Sequence, residues 1–508
     1  MEARAASGTV LRLAPLRNDA PALVIQWPGA ALHGAVALEL SGGGAPTASL
    51  LLDTVDWSPG APFEADGTLT LSNWRADNAS IATNELIVAI AIAPEGSGRI
   101  DFRGPARITG PIGEGEVRDM VAALDLAVTW RPGWRVTPNG CTQMQLGGLD
   151  VAGFSFGSGA FALCPLNGAL IAADASQNLS GGFSIRSLGL NGRMAGPEAQ
   201  PARLGAQNVV GQFRGRTGDM TLLLEAQTPS LEIDMGEERT LAIALQSATA
   251  DARIYGGTWR VDGAFRSGTL NDPSLPGSVS TITGEWEAAP QGSGEGPIIQ
   301  VRSGEALLTA HEPATENERT LFNPMRLTDV TAIVRDGDIN ARGDIALADG
   351  RRQLAGFTAF HDISEGAGNT RILATNIVFD GTLQPYHITE RARGMVENVQ
   401  GAASMVADVP WTNDALTAAG TMSTTGVSFA TATMPIIQDV RGSIYFDDLF
   451  NLTTPPGQSA TVGLLNPGLA ARNGRLRFQL LSEQRLTIEQ ADFDFAGGTL
   501  AMAPTTIT

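Results

Sequence analysis

The sequence predicts a mainly-β fold, an elongated and twisted antiparallel sheet with few short helices. Apolar residues alternate with polar ones over many short segments, which gives each strand one apolar and one wet face. Turn dipeptides separate those segments along the whole chain. The strand–helix–strand rhythm that would mark a parallel sheet is missing. A sheet built this way carries a continuous apolar side, which must be covered by protein or must hold something apolar itself.

Early in the chain Val36, Leu38 and Leu40 oppose Ala35, Ala37 and Glu39, and Leu69 and Leu71 oppose Thr68 and Thr70. The longest apolar run, Leu86 to Ala93, suits a buried strand and falls far short of the ~20 residues that span a bilayer. After Gly113-Glu-Gly115, the spacing of Val117, Met120, Val121 and Leu124 predicts a connector helix over Glu116 to Leu126. Leu231, Ile233 and Met235 resume the alternation. Pro290 to Pro297 is a linker, His311 to Arg319 a loop or short helix, and Ile388 to Val396 a second, weaker helix. In the last strands Leu476, Phe478 and Leu480 oppose Arg475, Arg477 and Gln479. Leu486 and Ile488 then oppose Arg485, Thr487 and Glu489, with Phe493 and Phe495 nearby. The expected divisions are a β-segment over 1–110, a helix connector with a β-segment over 111–290, and a C-terminal β-domain over 298–508. Asp66-Gly67, Asn139-Gly140, Asn167-Gly168, Asn191-Gly192, Asp262-Gly263, Asp336-Gly337, Asp349-Gly350, Asp380-Gly381 and Asn473-Gly474 suit type I′ hairpins.

Composition narrows the function classes. The formal charge is −19 over 508 residues, which argues against nucleic acid, since no basic surface could neutralise a run of phosphates. It also disfavours adhesion to an anionic membrane. All 34 basic residues are arginine, a bias that a GC-rich genome explains. The opening Met1-Glu-Ala-Arg-Ala-Ala-Ser-Gly8 lacks the apolar core of a signal peptide. The expectation is a cytosolic protein or a piece of a longer one. The end, which stops inside another strand pattern, favours a piece. Cys141 and Cys164 are a candidate disulfide that would staple a 22-residue segment in an oxidising compartment, or are two buried thiols. Two cysteines without a histidine at ligand spacing cannot make a zinc site.

Catalytic signals are weak. Gly153-Phe-Ser155-Phe-Gly157 matches the nucleophile-elbow pattern, which needs a strand before it and a helix after it; glycine follows instead. Arg342-Gly-Asp344 reads as a strand edge, and Gly292-Ser-Gly-Glu-Gly296 has no lysine to make it a phosphate loop. His33 and His387 have no obvious partner, while His361 can pair with Asp362 at a strand end. Asp447-Asp448 reads as turn chemistry. No catalytic residue, metal ligand or cofactor is expected.

The C-terminal motifs carry a resemblance. Gly442, Leu449, Thr454-Pro455-Pro456-Gly457-Gln458, Leu465-Asn466-Pro467-Gly468, Gly474 to Leu480 and Phe495-Ala-Gly497-Gly498 resemble the C-terminal domain of the YdbH family. That family, often labelled a "dicarboxylate transport" domain, lies in the AsmA-like superfamily beside TamB and YhdP. Phe360-His-Asp362, Phe379, Leu383-Gln-Pro385, Gly401 and Trp411 fit the same order, so the resemblance covers about residues 325–508. It implies an open β-trough with a hydrophobic groove. It further implies an inner-membrane anchor outside this chain, a periplasmic span, and phospholipid movement between inner and outer membranes. The implied partners are phospholipid acyl chains and a small outer-membrane lipoprotein. On this reading Leu476, Phe478, Leu480, Leu486, Ile488, Phe493 and Phe495 line the groove, and Pro455, Pro456, Gly457, Asn466, Pro467, Gly468, Gly497 and Gly498 are the family-motif turns. The dicarboxylate label fits poorly, because a small dianion wants convergent arginines and these arginines lie on the wet phase. The competing readings are a structural or adhesive envelope β-domain without transport, and a serine hydrolase using Ser155.

Overall fold

The computed structural model describes the chain throughout except residues 18–20, 44, 77, 113–114, 152, 195–198, 237–238, 292–296, 313–318, 433, 483–484 and 508. The protein is mainly β and antiparallel; many ladders join strands consecutive in the chain, and others pair strands further apart in it. Two units are distinguished. The first comprises Met1–Glu238, Ala244–Ala264 and Ala289–Pro297, and the second Arg239–Ile243, Phe265–Ala288 and Ile298–Thr508. Among the described residues no helix is long and apolar enough to cross a membrane. The apolar run Leu86–Ala93 lies mostly within the strand Ala79–Ile92.

In the first unit two 16-residue strands, Gly115–Trp130 and Leu179–Met194, flank an inlay of short strands. Trp134–Pro138, Thr142–Leu146 and Gly148–Val151 pair in turn with Gly115–Trp130. Phe154–Phe156, Gly159–Pro165 and Ile171–Ala173 pair with Leu179–Met194. Thr142 opposes Leu163, so Cys141 and Cys164 face each other one step beyond. They are joined in a disulfide.

The expected helix over Glu116–Leu126 is instead part of the strand Gly115–Trp130. Its apolar spacing mimics a helix because a β-bulge interrupts it. Asp119 has φ 48°, and the pairing slips between Ile108 and Gly110 opposite. An extra residue in one strand shifts the two-residue alternation by one, so inward positions run 117, then 120, 122 and 124. Similar slips sit beside Ser303, Asp329 and Asn376, all with positive φ.

Four of the nine turn dipeptides are not turns. Asp66-Gly67, Asn191-Gly192, Asp262-Gly263 and Asn473-Gly474 lie inside strands. Glycine in a strand marks a bulge or a close approach. A Cβ on Gly474 would stand 2.2 Å from a ring carbon of Phe493, and one on Gly67 2.0 Å from the Leu51 carbonyl oxygen. By contrast, Asp336-Gly337 has positive φ at both positions and joins two strands as expected.

The second helix is shorter than expected and begins earlier. One turn, Pro385–Ile388, is followed by a 3₁₀ turn, Glu390–Ala392, before the strand Glu397–Trp411. Leu383 and Ile388 pack onto Met325, Leu354, Ala355 and Ala374, capping the apolar face there. Gln384 fixes this cap: its amide donates to the Asp380 and Val399 carbonyls and its oxygen accepts from the Val399 N–H. The Gly292–Gly296 motif and most of the His311–Arg319 segment lie outside the described residues.

Among the described residues the helical turns Pro385–Ile388 and Glu390–Ala392 are the only helices. The chain exposes 28086 Å², whereas two compact domains sharing its 52.9 kDa would expose roughly 21,000 Å².

Candidate functional site

The register of the first unit turns the period-two pattern into a continuous feature. Val55 opposes Ala65, which opposes Ile90, then Ile100 and Val128. Val128 opposes Val136, which opposes Ile171 across the inlay. The row goes on through Gly181, Phe213, Leu222 and Ala252. Eleven consecutive strands thus place an apolar residue or glycine on one face, without a polar interruption. At ~4.8 Å per strand the row is roughly 48 Å long. Val55 and Ala65 are buried, and Ile90, Ile100, Val128, Val136, Ile171, Phe213 and Leu222 are half-buried. A second row two residues along, through Ile92, Gly98, Trp130 and Trp134, runs beside it. Trp130 lies flat on Gly98, where a Cβ would stand 2.0 Å from the indole.

One residue off, the opposite face reads Asp56, Glu64, Ala91, Arg99, Thr129, Arg135, Ala172, Ser180, Arg214, Thr221 and Arg253. Its charges pair locally, as in Arg99 with Asp101 and Arg260 with Asp262. Two shallow concavities of about 510 and 690 Å³ lie among residues of this polar face, including Arg214, Thr221 and Arg253. Mixed acids and bases line both.

In the second unit Phe379, Gly401, Val427, Val440, Val462 and Gly474 form a comparable row, and the Phe493 ring fills the space over Gly474. The predicted groove residues gather on that face. Leu476, Leu486, Ile488, Phe493 and Phe495 share one cluster with Val462, Ala471 and Ala491. Phe478 opposes Ile488, and Leu480 opposes Leu486. Ile488 and Phe493 differ in parity, and a register slip beside Glu489 brings both inward. Phe478, Ile488 and Phe493 are 7%, 5% and 2% exposed, so they form a floor, while Leu476, Leu480, Leu486 and Phe495 stay half-buried. Arg475 and Arg477 point to the wet side.

The matched turns are backbone devices. Thr454 is 1% exposed; its Oγ1 accepts from the Leu480 N–H and its own N–H donates to the Leu480 carbonyl. This ties the Pro455-Pro456 loop to the last strands. The Gly457 N–H donates to Glu489, Asn466 caps the Gly468 N–H, and Ala496-Gly497 turns into Gly498 with positive φ at both turn positions.

The remaining motifs find structural settings. Ser155 sits exposed in the middle of a β-hairpin strand with further strand after it, so an elbow geometry is not formed. Arg342 and Asp344 lie within the strand Asp338–Leu347, and Arg342 donates to Thr331. His33 meets Asp56, and His387 Nδ1 accepts from the Gln384 N–H. Asp448 caps Phe450 and Asn451, and Asp447 accepts from Thr453, in a turn.

His361 does not pair with Asp362, whose carboxylate caps Ser364 and Glu365 instead. Neighbours along a strand point to opposite faces, and His361 turns inward to Asp272, Nε2 to Oδ2 3.4 Å. Trp411 Nε1 donates to its Nδ1 at 3.3 Å. Arg239 stands 3.6 Å from Asp272 and bonds Asn413. Burial pushes the Asp272 carboxyl up. The His361 imidazole close beside it, two bonds from Ser274 and the Arg239 charge outweigh it and hold the carboxyl at about 2. The sequence gives no hint of this clasp, which joins residues up to 174 positions apart.

A long antiparallel sheet with one uninterrupted apolar face and paired charges on the other defines a class of protein that presents a surface rather than a pocket. The chain belongs to the YdbH-like family, described as intermembrane phospholipid transport protein YdbH, and the match spans residues 7–508. It therefore includes the first half of the chain, beyond the stretch of about residues 325–508 that carries the resemblance in the sequence. Neither a curated protein nor a solved structure matches.

Proposed function

We propose that this chain conducts phospholipids along its apolar β-faces, as a periplasmic segment of a path between inner and outer membranes. The observation that carries the reading is the row from Val55 to Ala252, buried at its start, half-buried along most of its length and free of polar residues across eleven strands. An acyl chain gains ~0.8 kcal/mol per CH₂ removed from water. Equivalent residues on every strand offer that gain with no preferred stopping place, so a lipid slides. The reach of one acyl chain is ~15 Å, half the hydrocarbon core, and covers about three strands. The headgroup stays in water, so a charged pocket is not needed. In the second unit Leu476, Leu480, Leu486 and Phe495 would touch lipid over a floor of Phe478, Ile488 and Phe493.

Photo-crosslinkers test this in protein made in a bacterial periplasm. Ile100 is expected to capture phospholipid and its neighbour Arg99 is not. Leu480 and Arg477 are expected to behave likewise. Equal capture on both faces, or lipid-free protein by mass spectrometry, would leave the face an ordinary uncovered sheet and favour a structural role.

A further inference from the structure

We infer that the hairpin around Trp27 inserts into the surface of a phospholipid bilayer and sets one end of the apolar face against it. The strand Leu23–Gln26 turns at Trp27 and returns as Ala31–Ser41. Val24, Ile25 and Trp27 are 43%, 69% and 86% exposed. Residues 20–38 contain no Asp, Glu, Lys or Arg, nineteen positions in a chain of net charge −19. Lone exposed apolar residues are ordinary, but a hairpin whose own residues carry no acid, lysine or arginine and whose tip exposes both Ile25 and Trp27 is a contact surface. Its chemistry selects the partner. Tryptophan favours the headgroup boundary, where its ring is apolar and its N–H stays hydrated, and an uncharged tip loses no ion hydration on entry.

Position supports the same partner. Ile25 opposes Leu32, which opposes Trp57, and Trp57 shares the face of Val55 two residues earlier. The inserted tip is therefore continuous with the row that starts at Val55. A lipid leaving the bilayer would meet Ile25, Leu32 and Trp57 before reaching it. Its purpose rests on the lipid-conduit reading, but its test does not.

The test uses vesicles of zwitterionic phosphatidylcholine, because the net charge disfavours anionic ones. A polarity-sensitive fluorophore is attached at Ile25→Cys, Trp27→Cys and, as a control, Thr217→Cys in another exposed turn. The first two should shift to the blue and be quenched by spin-labelled lipid, and the third should not. Ile25→Asp with Trp27→Asp should weaken vesicle co-sedimentation at least tenfold while circular dichroism stays unchanged, since both side chains are exposed. Unquenched probes, or unchanged binding by the double variant, would overturn the inference. So would loss of a dimer in place of vesicle binding, which would assign the hairpin to a second copy. Vesicle binding without acyl capture at Ile100 would retire the conduit and leave the docking. Capture without vesicle binding would do the reverse.

Discussion

At the scale of single residues, the site is built by what fits over glycine and by what is buried with charge. Gly474 and Gly98 are flat seats for Phe493 and Trp130. The first was visible in the sequence only as a turn signal, because Asn-Gly inside a strand and Asn-Gly at a hairpin look alike until the ring above them is placed. The clasp of Arg239, Asp272, His361 and Trp411 was equally hidden, since only register brings such distant positions together. Its consequence can be measured. The Asp272 carboxyl sits at about 2 in the folded protein against an ordinary 3.8. Its folded value is depressed, so its stabilisation is fully present above about pH 4 and is lost as pH falls towards 2. The amount is roughly 2 kcal/mol. Asp272→Asn should be much less stable at pH 6, since it leaves Arg239 buried without its carboxylate. Denaturation curves for the two proteins should converge between pH 4 and 2. Parallel curves would mean that Asp272 does not titrate with folding.

At the scale of elements, strands were legible wherever alternation was unbroken, as in Arg475 to Leu480. They were lost where a bulge broke it. The segment from Val117 to Leu124 satisfies a helical spacing only because Asp119 takes an extra step. Patterning over eleven residues cannot separate a helix from a bulged strand, and the partner strand decides. Each piece of the inlay of short strands between Gly115–Trp130 and Leu179–Met194 contributes few backbone bonds. The disulfide closes a 22-residue segment there, a loop length for which cross-linking is worth about 3 kcal/mol. Cys141→Ser with Cys164→Ser should lower stability by about that amount. It should also speed hydrogen exchange at Val136 and Ile171, while Phe478 in the second unit is unchanged. Uniform acceleration throughout would mean that the bond supports the whole chain rather than the inlay.

At the scale of the whole molecule, function depends on continuity, which no single strand reveals. Ile100, Val128 and Val136 look like ordinary inward residues in isolation, and only the register of eleven strands makes them one row. The sequence reading placed the lipid face in the last seventy residues, where family motifs are densest. There the Phe493 floor is packed like a core, and the longer half-open row lies in the first unit. A linear track fails differently from a pocket. Damage to a pocket residue weakens one site, whereas a charge at one position of a row divides it. An acyl chain passing Val128→Asp must leave the face for about one strand spacing, giving up several buried CH₂ groups at ~0.8 kcal/mol each. Val128→Asp should therefore leave lipid capture intact at Ile90 and at Leu222 in protein already loaded. Exchange of labelled phospholipid between those two positions should slow at least tenfold. Thr129→Asp, on the polar face, should leave that exchange unchanged. Equal exchange in both variants would show that lipids reach each stretch of the face independently from solution, and the row would then be a set of separate binding sites rather than a path.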